Sequence, residues 1–296
     1  MLYKLRDWFD FNNLNWADLS RNPHAIQLLE KYPDKIVWGA LITNKNPIAI
    51  QLLAQNQKKI HPHWNRLSYN LNAIHLLEKN KMRRIDWEYF SRNPNAIHLL
   101  EKNKHKIEWS WLSGNPNAIH LLEENHDKID WIQLSGNPNA IHLLEQNPDK
   151  IDWIQLSGNP NAIHLLEKNI DKIEWMHLSG NPNAIHLLEK NPDKIDWIQL
   201  SLNPKAIHLL EKNIGRIDWM SLSYNTNAIH LLEKNQDKID LYVVSNNSSI
   251  FEIDYMALKK RCAVFREELM QITLHPSKIQ QLLDMGIGCD ELDDYM

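Results

Sequence analysis

The apolar positions of this chain recur as a block. Residues 137–158 read NPNAIHLLEQNPDKIDWIQLSG, with Ala140, Ile141, Leu143 and Leu144 in one cluster and Ile151, Trp153, Ile154 and Leu156 in a second. The next 22 residues nearly repeat them. Tryptophan gives the register: Trp16, Trp38, Trp64, Trp87, Trp109, Trp131, Trp153, Trp175, Trp197 and Trp219, in steps of 22, 26, 23 and then 22 throughout, with Leu241 in the next slot. Numbered from the Asn of Asn-Pro, Ala-Ile fills slots 4–5, Leu-Leu slots 7–8 and Trp slot 17. A fixed period of this length marks a solenoid-type array.

Slots 1–11 predict a short helix. Asn137 is a good N-cap, Pro138 suits the first helical position, and Ala140, Ile141, Leu143 and Leu144 share one arc. Asn147 suits a left-handed terminating residue, and Pro148 blocks continuation. Slots 15–22 predict a second helix, with Asp152 and Gln155 as a capping box and Ile151 and Leu156 as a hydrophobic staple. Trp153 and Leu156 are three apart and share a face, which assigns the ladder Trp131, Trp153, Trp175 and Trp197 to the core. Helices this short do not stand alone, so each unit must bury its apolar face on its neighbours. The expected fold is all-α, a right-handed solenoid of about ten 22-residue two-helix repeats with caps at both ends. At about 8–10 Å per repeat it makes an elongated, curved stack roughly 80–100 Å long. The alternative is a leucine-rich-repeat-like horseshoe, because Ile151, Ile154, Leu156 and Asn159 fit L-x-x-L-x-L-x-x-N. Against it, slot 18 holds Gly39, Asn65, Glu88 and Ser110 in other copies, where that fold needs a buried strand residue.

Three segments follow. Residues 1–15 fit the unit poorly; Leu2, Leu5, Trp8 and Phe9 predict an amphipathic helix capping the first repeat. The array spans 16–250, with insertions around 42–45, 61–63 and Met82 expected as edge loops, and a last copy that frays at Thr226 and Asn246-Asn247-Ser248-Ser249. Residues 251–296 form a helical cap or docking module: one helix over 253–274, a break at His275-Pro276, a second helix over 277–285 and an acidic tail over 290–294. Two cysteines, Cys262 and Cys289, lie outside the array and fit a reducing compartment. No apolar run reaches bilayer-spanning length, and Lys4, Arg6, Asp7 and Asp10 interrupt any signal-peptide core. Charge is lopsided: residues 1–106 carry 17 Lys and Arg against 9 Asp and Glu, and residues 107–296 carry 16 against 28.

The unit N-P-N-A-I-x-L-L-E-x-N-P-D-K-I-x-W-x-x-L-S resembles tandem-repeat proteins of giant DNA viruses, the mimivirus-like and phycodnavirus-like groups. The segment 265–286, FREELMQITLHPSKIQQLLDMG, is similar to a C-terminal segment found in many of them. The resemblance implies a viral protein in the cytoplasm of an infected host cell or in a virion, not a secreted one. It carries over no activity and no functional residue.

The sequence offers one prominent candidate for chemistry, a histidine ladder at slot 6: His75, His98, His120, His142, His164, His186, His208 and His230. Metal ligation needs several imidazoles within about 2.1 Å of one ion, whereas stacked helices hold equivalent atoms about 8–10 Å apart. Gln27 and Gln51 fill the same slot. The ladder therefore reads as packing or hydrogen bonding between repeats. Glu at slot 9 and Lys at slot 14 read as solvated charges. No phosphate loop or activated nucleophile occurs, so no catalytic residue, cofactor or metal is assigned. The expected function is a non-enzymatic protein-binding scaffold. A virion or assembly component and a nucleic-acid-binding solenoid are the alternatives, nucleic acid being the less expected partner and membrane not expected. Slots 18, 19 and 22 form one stripe. They are plain in central copies (Ile132, Gln133, Gly136, Ile154, Gln155, Gly158, His177) but become Arg66, Tyr69, Glu88, Tyr89, Arg92 and Trp111 toward the N-terminus. Tyr, Trp and Arg dominate interface hot spots, so Arg66, Tyr69, Tyr89, Arg92 and Trp111 are the candidate partner-binding residues.

Overall fold

A computed structural model describes residues 2–80, 84–273 and 275–284 of the chain. It falls into two compact units, Leu5–Phe251 and Met1–Lys4 with Glu252–Met296. The first unit is a helical repeat array of helix pairs spaced by about 22 residues. Among the described residues the strands are Tyr3–Leu5 and Phe251–Ile253, paired with each other. Slots 17–21 are helical in the central copies, so the leucine-rich pattern is not used as a strand.

Local chemistry shapes each module differently from the expectation at two points. The first helix starts at slot 5, as in Ile141–Gln146. Asn137 instead closes a turn, its Oδ1 accepting from the Asn139 N–H (3.0 Å) and its carbonyl from the Ala140 N–H (3.2 Å). Asn147 is not left-handed, with φ −133° and ψ 60°. Its amide donates to the Leu143 carbonyl (2.9 Å), satisfying an orphan group at the helix end. A 3-10 turn, Pro148–Lys150, follows. The Asp152 carboxylate then accepts from the Gln155 N–H (2.8 Å) and caps the second helix, Trp153–Gly158.

The core is made of small and branched side chains. Ala140, Leu144 and Leu156, at slots 4, 8 and 20, are fully buried, as are their counterparts Ala162, Leu166 and Leu178. The Trp ladder is not in this core: Trp131, Trp153, Trp175 and Trp197 are half-buried. Each indole is too large for the closely spaced inner layer and lies at the seam between modules. There the cation of the next module covers most of the rings: Lys150 Nζ sits 4.5 Å from the Trp131 ring, Lys172 4.7 Å from Trp153, and the Arg216 guanidinium 5.2 Å from Trp197. The slot 14 cations are therefore packing groups.

Neighbouring modules are joined by side-chain bonds to backbone. The slot 1 Asn amide donates to two carbonyls that flank the preceding module junction: Asn159 to Ser135 and Asn137, both at 3.0 Å. Asn44, Asn70, Asn93, Asn115, Asn137, Asn181, Asn203, Asn225 and Asn247 do the same at 2.5–3.3 Å. Asn22 also does so, and its acceptors are Ser245 and Asn247, at the other end of the array. Two further ladders close at the same seam. The Asn15 N–H donates to Ser245 Oγ (2.8 Å), as that of Asp152 does to Ser135 Oγ (2.9 Å). His24 Nδ1 lies 3.0 Å from the Ser248 carbonyl, where Asn161 bonds Pro138. The unit Leu5–Phe251 is thus a closed ring of eleven modules, not an open elongated stack.

Ten modules are continuous, and the eleventh is shared by the two ends of the chain. Asn247 and the turn Ser248–Ile250 begin it, with Ile250 buried in the slot 4 position. Residues 6–21 complete it, with Trp16–Arg21 as its second helix: the Arg6 N–H donates to the Ile250 carbonyl (2.9 Å), Arg6 Nε to the Ser249 carbonyl (2.8 Å), and Phe9 and Leu14 are buried. The expected N-terminal cap helix is absent. Tyr3–Leu5 is a strand and Phe11–Asn13 a 3-10 turn, because this segment fills a module instead of covering an end. The last copy does not fray, since Asn247 keeps its full set of bonds. The early insertions divide: 42–45 is a turn and loop, as expected, whereas 61–63 falls within a 3-10 run, His61–Tyr69, instead of a loop. Met82 lies outside the described residues. In the second unit Asp254 caps the helix Tyr255–Thr273, accepting from the Ala257 N–H (2.9 Å), and Pro276–Asp284 is a second helix. Met256, Val264, Phe265 and Cys262 are exposed. Cys289 and the acidic tail lie outside the described residues.

Two stability measurements follow from this packing. Asn159→Ala strands the carbonyls of Ser135 and Asn137 and the Asn161 N–H, and chemical denaturation should show a loss of about 3–5 kcal/mol, against about ±0.5 kcal/mol for exposed Lys168→Ala. Leu156→Ala should cost about 2–5 kcal/mol and exceed Trp153→Ala, although Trp is the larger side chain.

Candidate functional site: the inner wall of the ring

The second helices stand side by side around the ring and form its inner layer. On a helix of 3.6 residues per turn, slots 18 and 22 share a face opposite slot 20. Slot 20 is fully buried against the first helices, as Leu134, Leu156 and Leu178 show, so slots 18 and 22 face the ring axis. Slot 19 leans on slot 22 of the module before it: a Cβ placed on Gly136 would lie 3.4 Å from Gln155 Oε1. With about 8–10 Å between helix axes and a helix about 10–12 Å thick, eleven modules leave an opening of roughly 20 Å.

The wall has two chemically distinct arcs. The first holds most of the residues singled out from sequence. Tyr69 and Tyr89 pack edge to face with centroids 5.7 Å apart, and Tyr89 and Trp111 likewise at 5.4 Å. The Arg92 guanidinium passes over Gly114 and donates to Gln133 Oε1 two modules on (3.0 Å). Only strong inward curvature lets a side chain skip a module in this way. Tyr69, Leu71, Tyr89 and Arg92, with Thr43 and Lys45, line a shallow pocket of about 170 Å³. Arg66 is exposed one turn before Tyr69 and does not line that pocket. Gln133 belongs with this arc through Arg92, although sequence reasoning classed it with the plain positions.

The second arc was missed. At slot 18, Ile132, Ile154, Met176, Ile198, Met220 and Tyr242 are 45–67 % exposed in six consecutive modules. Their signal was present in the sequence: this slot changes from Gly, Asn, Glu and Ser to an unbroken apolar series.

The outer surface carries the histidine ladder. His142 Nε2 lies 2.9 Å from Glu123 Oε1 of the preceding module, and the pairs His164–Glu145, His186–Glu167, His208–Glu189 and His230–Glu211 repeat that distance. The slot 6 imidazoles thus meet slot 9 carboxylates and not each other. Half-exposed pairs of this kind are worth about 0–1 kcal/mol each, so they trim the outer seam without holding it. Among the described residues no helix is long and apolar enough to cross a membrane. Comparison with protein-family models, with curated proteins and with solved structures finds no match for this chain.

Proposed function

We propose that this protein is a non-enzymatic scaffold that captures a partner protein on the inner wall of its ring. The observation that carries this reading is the gathering of exposed Tyr69, Tyr89 and Arg92 and half-buried Trp111 from three successive modules into one patch. Rings and guanidinium groups with this spacing are the chemistry of interface hot spots, and Arg66 extends the patch by one turn. The rigid ladders beneath it hold the side chains in place before binding, which lowers the ordering cost of association. The resemblance of the repeat unit to giant-virus proteins supports a place in the infected-cell cytoplasm or the virion, and the right-handed winding expected of the chain belongs to the same reading.

The alternatives draw less support. A nucleic-acid partner calls for a continuous basic surface, and the wall offers Arg21, Arg66 and Arg92 on one side, interrupted by Asp18 and Glu88, with Arg21 paired to Asp18, and a series of carboxylates on the other. Assembly by end-to-end stacking of open solenoids is disfavoured, because the chain's two array ends are already bonded to each other.

The test is affinity capture from infected-cell lysate with the combined variant Arg66→Ala, Tyr89→Ala, Arg92→Ala and Trp111→Ala. It should keep its far-ultraviolet circular dichroism and lose the captured protein. Gln155→Ala with His177→Ala should retain it. Equal behaviour of the two sets contradicts the assignment.

A further inference from the structure

The second arc combines its apolar row with carboxylates. Ser110, at slot 18, donates its hydroxyl to the Asp130 carboxylate, at slot 16 of the next module. Slot 16 of one module therefore lies against slot 18 of the one before. By the same register Asp152, Glu174, Asp196, Asp218 and Asp240 stand beside Ile132, Ile154, Met176, Ile198 and Met220. The Asp members each use a carboxylate oxygen to cap their own helix, accepting from Gln155, Gln199, Ser221 and Val243 N–H groups at 2.8–3.0 Å. Slots 18, 19 and 22 hold no Lys or Arg from Ile132 to Asn246, and His177 and two tyrosines, Tyr224 and Tyr242, are their titratable side chains. Of the five nearby slot 14 cations, Lys150, Lys172, Arg216 and Lys238 are engaged over Trp rings, and Lys194 is the exception.

We infer that this arc receives an α-helical segment of a partner protein, inserted along the ring axis, with an apolar stripe flanked by Lys or Arg. An apolar series of this length on an exposed wall marks an interaction surface. The carboxylates interleaved with it attract cationic flanks and reject acidic ones, which sets the sign of the partner. Size agrees: a helix about 10–12 Å thick enters an opening of roughly 20 Å. The wall is one six-residue helix tall, as in Trp153–Gly158, or about 9 Å at 1.5 Å per residue. Apolar residues three and four apart on the partner then meet Ile154, Met176 and Ile198 while long cationic side chains reach the slot 16 rim. Met176 and Met220 supply adaptable contacts. The arc is opposite in charge to the aromatic–arginine patch and stands independently of it.

The test uses the full chain and two fluorescein-labelled peptides about 18 residues long, long enough to form a helix, with the same leucine stripe and either Lys or Glu flanks. Fluorescence anisotropy should show binding of the Lys peptide and none of the Glu peptide. Ile154→Ser with Met176→Ser and Ile198→Ser changes exposed side chains, and should weaken binding by roughly tenfold or more. Asp152→Asn with Asp196→Asn and Asp218→Asn keeps the caps, since Asn caps as well as Asp, and should weaken binding severalfold and reduce its salt dependence. Unchanged circular dichroism certifies each variant. The Arg66, Tyr89, Arg92 and Trp111 variant should bind the Lys peptide as the parent does, so failure of one arc is distinguishable from failure of the other. Equal binding of both peptides, undiminished binding by either arc variant, or loss of binding in the Arg66 set would overturn the proposal.

Discussion

The structure depends on a buried amide with nowhere else to go. Each slot 1 Asn is nearly inaccessible to water, and its side-chain amide and oxygen bond three backbone groups, two of them at the preceding module junction. Gln is too long and Asp lacks the donors, so Asn meets all three partners where neither substitute does. The consequence is geometric as well as energetic. Fixing two carbonyls of one junction on the side chain at the next sets their spacing and tilt, and repeating that constraint bends the array until its ends meet.

Closure changes what the termini are for. An open solenoid needs caps because its end modules lack neighbours. Here the array's two ends meet, and the eleventh module is assembled from residues 6–21 and 247–250, tying those ends into one packing unit. Closure also turns a concave surface into an inner wall. Its curvature brings Arg92 to Gln133 across a module and collects side chains from distant parts of the sequence around one opening.

The period, the helix pairs and the core slots were legible in the sequence because local rules and burial act on the same 22 residues. The Trp reading failed for a physical reason: sharing a face with Leu156 does not bury an indole when the next module approaches at the seam with a lysine. Lys150 and Glu123 looked solvated because their partners, Trp131 and His142, lie in other modules and leave no trace at short sequence spacing. The ring had a signal that went unread. Asn persists at Asn22, Asn44, Asn70, Asn225 and Asn247, where the following Pro or other parts of the motif vary, which a local cap alone does not require. The number of modules needed to close depends on the wedge angle, and no single repeat states it. For the candidate site, Tyr69, Tyr89, Arg92 and Trp111 were found from their variation among otherwise equal slots. The apolar arc was passed over because Ile and Met at slot 18 recur as regularly as the core does.

Ring closure is tested most directly by a distance measured against an internal standard. With Cys262 and Cys289 replaced by Ser, spin labels at exposed Lys31→Cys and Lys234→Cys sit two modules apart across the seam. Labels at Lys190→Cys and Lys234→Cys sit two modules apart along the chain. Double electron–electron resonance should return the same distance for both pairs. A Lys31–Lys234 distance several times larger, approaching the roughly 80–100 Å of an open stack, would contradict the ring.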